Sequence, residues 1–339
     1  IYLHANSDRI ARMSNAIIQR LAGYLSVQES RSGEAIAKEL GCSRTAVWKH
    51  VESLRSLGIE IDAVAGKGYL LREPLELLDS SLILGSLDPA VRNRLRNLDI
   101  ESSLDSTNSA LHRLAVEDQH AAVILAEHQT SGRGRRGRQW HSPYARNLYL
   151  SMGWKFENAL SELGCLALVV ALATARALSR AGLEGHRVKW PNDLLLDDRK
   201  LCGCLVEVQG DSQGPCHAVV GIGINVHMPS SEQTSDIDQP WTDVYSQIPG
   251  CSRNSLAALL LHELVSGLEL FARQGFTPFR GYWQEMDGLR GQTVEVTAGQ
   301  GVLNGTVAGI NESGALLLET GGETLTLYSG EVSLRKTKI

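Results

Sequence analysis

The chain has 339 residues, with 33 Lys and Arg against 38 Asp and Glu, a net charge of −5 and 43% hydrophobic residues. These fractions describe an ordinary globular protein and exclude a disordered or fibrous one. The mildly acidic total excludes a uniformly basic surface and leaves room for one basic patch.

At about 100–200 residues per domain, two or three domains are expected. Residues up to 72 hold ten Lys and Arg against seven acids, a local balance of +3 that leaves −8 for the rest. Ser32–Leu40 reads as a short helix with Ile36 and Leu40 on one face, stopped by Gly41. Ser43 caps a second helix reaching Leu57. Its apolar face is Val47, Val51, Leu54 and Leu57, and Arg44, Thr45, Lys49 and Ser53 lie opposite. Ile59–Leu71 alternates around Gly66-Lys67-Gly68, a hairpin whose tip suits phosphate. The pattern is a winged helix-turn-helix. Arg44, Lys49 and Lys67 are placed for DNA phosphates, and Arg44 and Thr45 for base edges. A small helical packing module is the alternative, which the local positive balance disfavours.

From about 80 to 285, apolar strands alternate with helices. Gln129–Trp140 includes four Arg and three Gly within 132–138. Interior Gly costs about 1 kcal/mol each in a helix and the like charges repel, so a mobile loop is expected there. Its amides and guanidinium forks suit an anion. An RNA-binding Arg/Gly tract is the alternative, disfavoured by acidic, non-repetitive surroundings. A strand follows at Asn147–Met152, then an apolar helix at Leu163–Leu178. Val188 opens a strand that Pro191 interrupts, which presents Lys189, Asn192 and Asp193 together. Asp193 suits a Mg²⁺ held by nucleotide phosphates. Leu194–Leu196 turns at Asp197-Asp198-Arg199 into a strand over Cys204–Val208. In Val219–Val226 the alternate glycines clear the backbone for a flat ligand. Strand-like runs with Gly-rich turns fill residues 288 to the end, a small all-β module.

The six Cys contain no CxxC and the His no metal spacing, so buried thiols in a reducing cytosol are expected and a structural zinc is not. The longest apolar run, Cys165–Ala175, falls short of the roughly 20 residues of a membrane span. No signal-peptide core follows Ile1, so a cytoplasmic protein without a membrane partner is expected. The initiator Met is expected to lie outside this sequence.

Five motifs then occur in order: Asp-Ser-Thr-Asn at 105–108, Gly-Arg-Gly-Arg-Arg-Gly at 132–137, Lys-Trp-Pro-Asn-Asp at 189–193, Lys-Leu-Cys-Gly at 200–203 and Gly-Ile-Gly-Ile-Asn at 221–225. The chain resembles, end to end, the bacterial bifunctional biotin protein ligases that also repress the biotin operon. The resemblance implies an α+β chain of three domains. They are a winged helix-turn-helix over 1–78, a mixed α/β catalytic domain over 79–286 and an SH3-like β-barrel over 287–339. It implies that biotin and MgATP form biotinyl-5′-AMP, which a lysine of the biotin carboxyl carrier protein of acetyl-CoA carboxylase attacks. It also implies that the adenylate-loaded homodimer binds operator DNA.

Carried onto this sequence, the resemblance assigns biotin to Ser106, Thr107, Asn108, Gln129, Gly132, Arg133, Gly134, Arg135, Lys200 and Gly203. Nucleotide falls to Arg136, Lys189, Asn192, Asp193, Asn225 and Trp241, the last in a polar 229–243 segment. Catalysis falls to Lys189, Arg133 and Arg135, and DNA to Ser43, Arg44, Thr45, Lys49 and Lys67. Cys202 departs from the Ala common there. A non-enzymatic sensor that kept the fold is the rival reading, and a lipoate-attaching relative a third. The intact arginine loop, Lys189 and Asp193 argue against a pure sensor, which needs no pyrophosphate-releasing apparatus.

Overall fold

The computed structural model describes residues 17–18, 20–211, 214–229, 234, 237–298, 301–328 and 332–336. Helices α1 (Gly33–Leu40) and α2 (Arg44–Ser56) start as their sequence dictates. The Ser32 hydroxyl accepts from the Ala35 amide, and the Ser43 hydroxyl from the Ala46 amide. Ser43 is therefore the N-cap that sets the start of the exposed face, and it is exposed itself. Val47, Val51 and Leu54 are buried, while Arg44, Thr45 and Lys49 are exposed. Leu57, expected in the apolar stripe, is the half-buried C-cap. Strands β1 (Ile61–Val64) and β2 (Gly68–Leu71) form the antiparallel wing with Lys67 in its turn.

The central body is a seven-stranded sheet. Its strands are β3 (Asn97–Glu101), β4 (Ala122–Ala126), β5 (Leu148–Phe156), β6 (Arg187–Lys189), β7 (Asp193–Leu196), β8 (Arg199–Gly210) and β9 (Cys216–Ile224). The order is β3-β4-β5-β9-β8-β7-β6, and only β3–β4 is parallel. Strand β4 is buried on both faces. Val123 and Leu125 join the main core, while Ala122 and Ile124 pack with Leu111 of α3 (Thr107–His112). The β7–β8 turn places Asp197 and Asp198 at φ 50° and 59°, the left-handed pair a two-residue hairpin needs.

Helix α4 (Leu166–Arg180) is apolar almost all round because the sheet and α5 (Arg253–Gln274) enclose it. Two helical stretches, 160–180 and 253–274, are long and apolar enough to cross a bilayer. In this fold, 67% and 56% of their most apolar windows are buried against protein. The C-terminal module is five antiparallel strands, β10 (Thr293–Ala298), β11 (Gly301–Ile310), β12 (Leu316–Thr320), β13 (Glu323–Leu327) and β14 (Val332–Lys336). They pair in the order β13-β12-β11-β10-β14. Val294, Val296, Val307, Leu316 and Leu318 belong to the same apolar cluster as the central body.

The segment 73–79 is tied down residue by residue. Glu73 pairs with Arg146. The Glu76 carboxylate accepts from Ser252 Oγ, the Arg253 amide and Asn254 Nδ2. The Leu78 amide donates to Glu127 Oε1 at 2.6 Å. Glu127 Oε2 lies 2.8 Å from Arg253 Nη1, and the two side chains are 0% and 4% exposed.

Candidate active site

The floor is made by β8 and β9, where Gly203 faces Gly223 across the ladder. A Cβ on Gly223 would lie 2.5 Å from the Trp140 ring, and one on Gly221 would collide with the Asn108 carboxamide. The glycines expected to clear room for a flat ligand thus first seat two of the protein's own side chains. Above this floor lies a cavity of about 150 Å³. Its lining includes Ser106, Thr107, Asn108, Gln129, Arg133, Gly134, Arg135, Arg136, Lys189, Asn192, Asp193, Lys200 and Gly203. These residues come from five separated stretches of sequence.

One end is a network of buried neutral groups closed by a carboxylate. Gln129 Oε1 accepts from the Thr107 amide at 2.9 Å, and Gln129 Nε2 donates to Ser142 Oγ at 3.2 Å. Ser151 Oγ stands 2.7 Å from Thr107 Oγ1 and 2.6 Å from Asn108 Oδ1. Asn108 Nδ2 donates to Glu207 Oε2 at 2.7 Å. The same Glu207 oxygen receives Arg133 Nη2 at 3.2 Å and lies 3.3 Å from His112 Nε2. Such a linked set, buried in low dielectric, holds its members in one geometry and suits a neutral ring rich in donors and acceptors.

The other end is cationic. The arginine loop closes on itself, with the Gly134 amide on the Arg138 carbonyl at 2.7 Å and the Trp140 amide on the Gly132 carbonyl at 2.8 Å. Within the loop lies one short turn, Arg135–Gly137, with Arg136 at φ 59°. Arg135 Nη1 donates to Asn192 Oδ1 at 3.1 Å, and burial lowers its pKa against the pull of Asp193. Asn192 is 8% exposed and gives its Nδ2 to the Cys204 carbonyl at 2.6 Å. Lys189 and Asp193 face each other across the β6–β7 hairpin, whose Trp190–Pro191 peptide is cis. Lys200 Nζ lies 3.0 Å from Asp193 Oδ1 and 5.3 Å above the Trp140 ring.

The expected site residues fall in distinct surroundings. Arg133, one of the residues expected to be catalytic, pairs with Glu207 at 3.2 Å. Asn192 ties Arg135 to the strand β8 backbone, accepting from the guanidinium and donating to the Cys204 carbonyl. Asn225 is 5% exposed and its Nδ2 donates to the carbonyls of Lys200 and Thr242 at 3.2 and 3.0 Å. Trp241 forms a strand-like bridge with Lys200. Neither Asn225 nor Trp241 lines the cavity. Much of the 229–243 segment, residues 230–233 and 235–236, lies outside the described residues. Sequence reading missed Trp140, Ser142, Ser151 and Glu207. The signal for Glu207 was the period of two along β8, which aligns it with Gly203 and Leu205 on the cavity face. Cys202 and Cys204 are buried thiols, and among the described residues no group of three or more His, Cys, Asp or Glu could hold a metal ion.

Residues 101–225 match the model of the biotin/lipoate A/B protein ligase family. Residues 15–70 match an HTH domain and residues 290–335 a biotin protein ligase C-terminal domain. The chain is 39% identical over 324 residues to the bifunctional ligase/repressor BirA of Escherichia coli, covering 96% of this chain and 99% of that one. It is 31% identical to the Bacillus subtilis protein of the same description, covering 89% and 93%. A biotin protein ligase from Aquifex aeolicus, solved with biotin and ATP, superposes with a TM-score of 0.60 at 29% identity. That match covers 72% of this chain and all of the other.

Proposed function

The chain belongs to the bifunctional biotin ligase/repressor family, and we propose from its geometry how its own residues carry out that family's reaction. It is an ATP-dependent biotin ligase that forms biotinyl-5′-AMP, and a repressor. The observation that carries the residue-level reading is the polarity of one cavity, with neutral hydrogen-bonding groups at one end and Lys189, Arg135 and Lys200 at the other.

The ureido ring of biotin would sit at the Ser106–Asn108 and Gln129 end, where Glu207, Ser142 and Ser151 orient the groups that meet it. The valeryl carboxylate would then reach the cationic end. Attack of a carboxylate oxygen on the α-phosphorus of ATP joins two anions and expels pyrophosphate. Lys189 and Arg135 offset that repulsion where charge develops. Lys200, screened by Asp193 and lying on Trp140, would hold the carboxyl end. In the second step the acceptor lysine amine attacks the anhydride carbonyl, and AMP leaves. Mg²⁺ enters as part of the nucleotide substrate. Asp193 is the carboxylate that fits it, since Mg²⁺ commonly takes one or two protein carboxylates and fills the rest of its shell with phosphates and water. Arg136 would lie toward the phosphates.

The acceptor is the biotin carboxyl carrier protein of acetyl-CoA carboxylase, and the setting is the bacterial cytoplasm. Loading with adenylate orders the ligand loops and, by linkage, favours a homodimer that binds operator DNA. Purified chain, biotin, MgATP and a carrier domain should yield a carrier heavier by one biotinyl group on mass spectrometry. An unmodified carrier, with no biotin-dependent ATP–pyrophosphate exchange, rejects the reading in favour of a sensor. Exchange supported by lipoate in place of biotin favours the lipoate-attaching relative.

Two variants test the parts. Arg135→Gly removes the guanidinium that ties the loop to Asn192. A hydrogen bond from a charged group contributes about 1.5–3 kcal/mol, so adenylate should escape roughly tenfold or more faster in a trapping assay. Retention equal to wild type rejects the lid role. Arg44→Ala should weaken operator binding and flatten its salt dependence by about 0.9 in log–log slope per lost phosphate contact, read by anisotropy at two salt concentrations. Ligation should persist, because Arg44 is exposed on α2, far in sequence from every cavity residue. Loss of both activities points to misfolding instead.

A further inference from the structure

We infer that Trp190 is a positioning residue for Lys189, acting through its tie to the turn at Gly314. The inference rests on the catalytic reading of Lys189 given above. Strand β6 has only three residues and is the last strand of its sheet, paired along one side with β7. Three residues of ladder give little hold on a side chain at the end of the strand. The outer edge is covered from the C-terminal side, by a bridge between Val188 and Asp287 and by the Gly288 amide on the Val188 carbonyl at 2.9 Å.

The residue after Lys189 is tied further still. Trp190 is 2% exposed, and its Nε1 donates to the carbonyl of Gly314 at 3.0 Å, 124 residues along the chain. Gly314 belongs to the turn between β11 and β12. Asn311 Oδ1 stiffens that turn by accepting from the amides of Ser313 and Ala315 at 3.0 and 2.9 Å. Gly314 has φ +77°, and a Cβ there would lie 2.6 Å from Cys165 Cβ at the start of α4. The carbonyl that receives the indole is therefore clamped between the C-terminal turn and the core helix, with no slack. Asn192, two residues further on, fixes the opposite side of the hairpin to β8. Lys189 itself lies in the chain between Val188, held by Gly288, and Trp190, held by Gly314. A displacement of about 1 Å from reacting geometry can cost about 10²-fold in rate.

The test is biotin-dependent ATP–pyrophosphate exchange on the full chain. Trp190→Phe keeps the buried ring and removes the donor. Gly314→Ala displaces the acceptor from a turn outside the catalytic sheet, and serves alone if Trp190→Phe does not fold. Each is expected to lower kcat about 10- to 100-fold, with KM for biotin changed less than twofold and the circular dichroism spectrum unaltered. A folded Gly314→Ala chain with wild-type kcat, or with a loss confined to KM for biotin, overturns the proposal. Lys189→Ala run alongside separates the two ideas. If it keeps full exchange, the reading of Lys189 is what fails. If it loses exchange while both other variants keep kcat, only the positioning role of Trp190 fails.

Discussion

The Lys189→Ala chain should bind biotin almost normally and form adenylate about 10²–10³-fold more slowly. That loss is the size seen when one fixed donor to developing negative charge is removed, roughly 3–4 kcal/mol. The two effects separate because the cavity is polarised. Groups suited to a neutral ring, Thr107, Asn108 and Gln129, sit in a hydrogen-bonded network with Ser151 and Glu207. Lys189, Arg135 and Lys200 line the far end, where the reacting anions would meet them. Isothermal titration with biotin, alongside single-turnover formation of biotinyl-5′-AMP, reads both quantities. Wild-type turnover would remove Lys189 from the mechanism. A parallel collapse of biotin affinity would mean that the two ends are not independent.

The second large effect concerns stability. Glu127→Ala should cost about 3–5 kcal/mol, because it leaves the Arg253 guanidinium buried with its counter-ion gone. The Glu127 side chain is fully buried. Arg253 also donates to the Asn147 carbonyl at 3.0 Å and to the Glu76 carbonyl, and neither contact neutralises its charge. Deleting both partners is a different experiment. A Glu127→Leu/Arg253→Met chain should be much closer to wild type than the two single losses added together, since apolar groups of similar size can replace a buried pair. Urea denaturation of wild type, Glu127→Leu, Arg253→Met and the double variant gives the coupling. Simple additivity would show that the pair acts as two unrelated polar groups.

What was legible in the sequence was what is local. Ser32 and Ser43 cap their helices through amides three residues away. The Asp197-Asp198 turn is a two-residue device, and the Arg/Gly run is contiguous in sequence. Strand lengths were less legible. The ladder of β5 runs to Phe156 because β9 extends to meet it from Cys216, a fact about a partner strand 60 residues away. Least legible were side chains that find their partners through the fold. Asn108 meets Glu207 across 99 residues of chain, and Arg135 meets Asn192 across 57. Asn225 carries a carboxamide suited to a base, yet its Nδ2 donates to two backbone carbonyls, of Lys200 on β8 and of Thr242. Gly223 was read as room for a ligand, and Trp140 occupies that room.

The bolting of segment 73–79 bears on anyone who wants the ligase without its DNA-binding head. A truncated gene product starting at residue 79 would discard Glu76 and the Leu78 amide. The first turn of α5 would lose its carboxylate acceptor, and Glu127 one of its hydrogen bonds. Starting instead at Glu73 keeps those ties and also the partner of Arg146. Six residues at the cut would then separate a sturdy recombinant fragment from a fragile one.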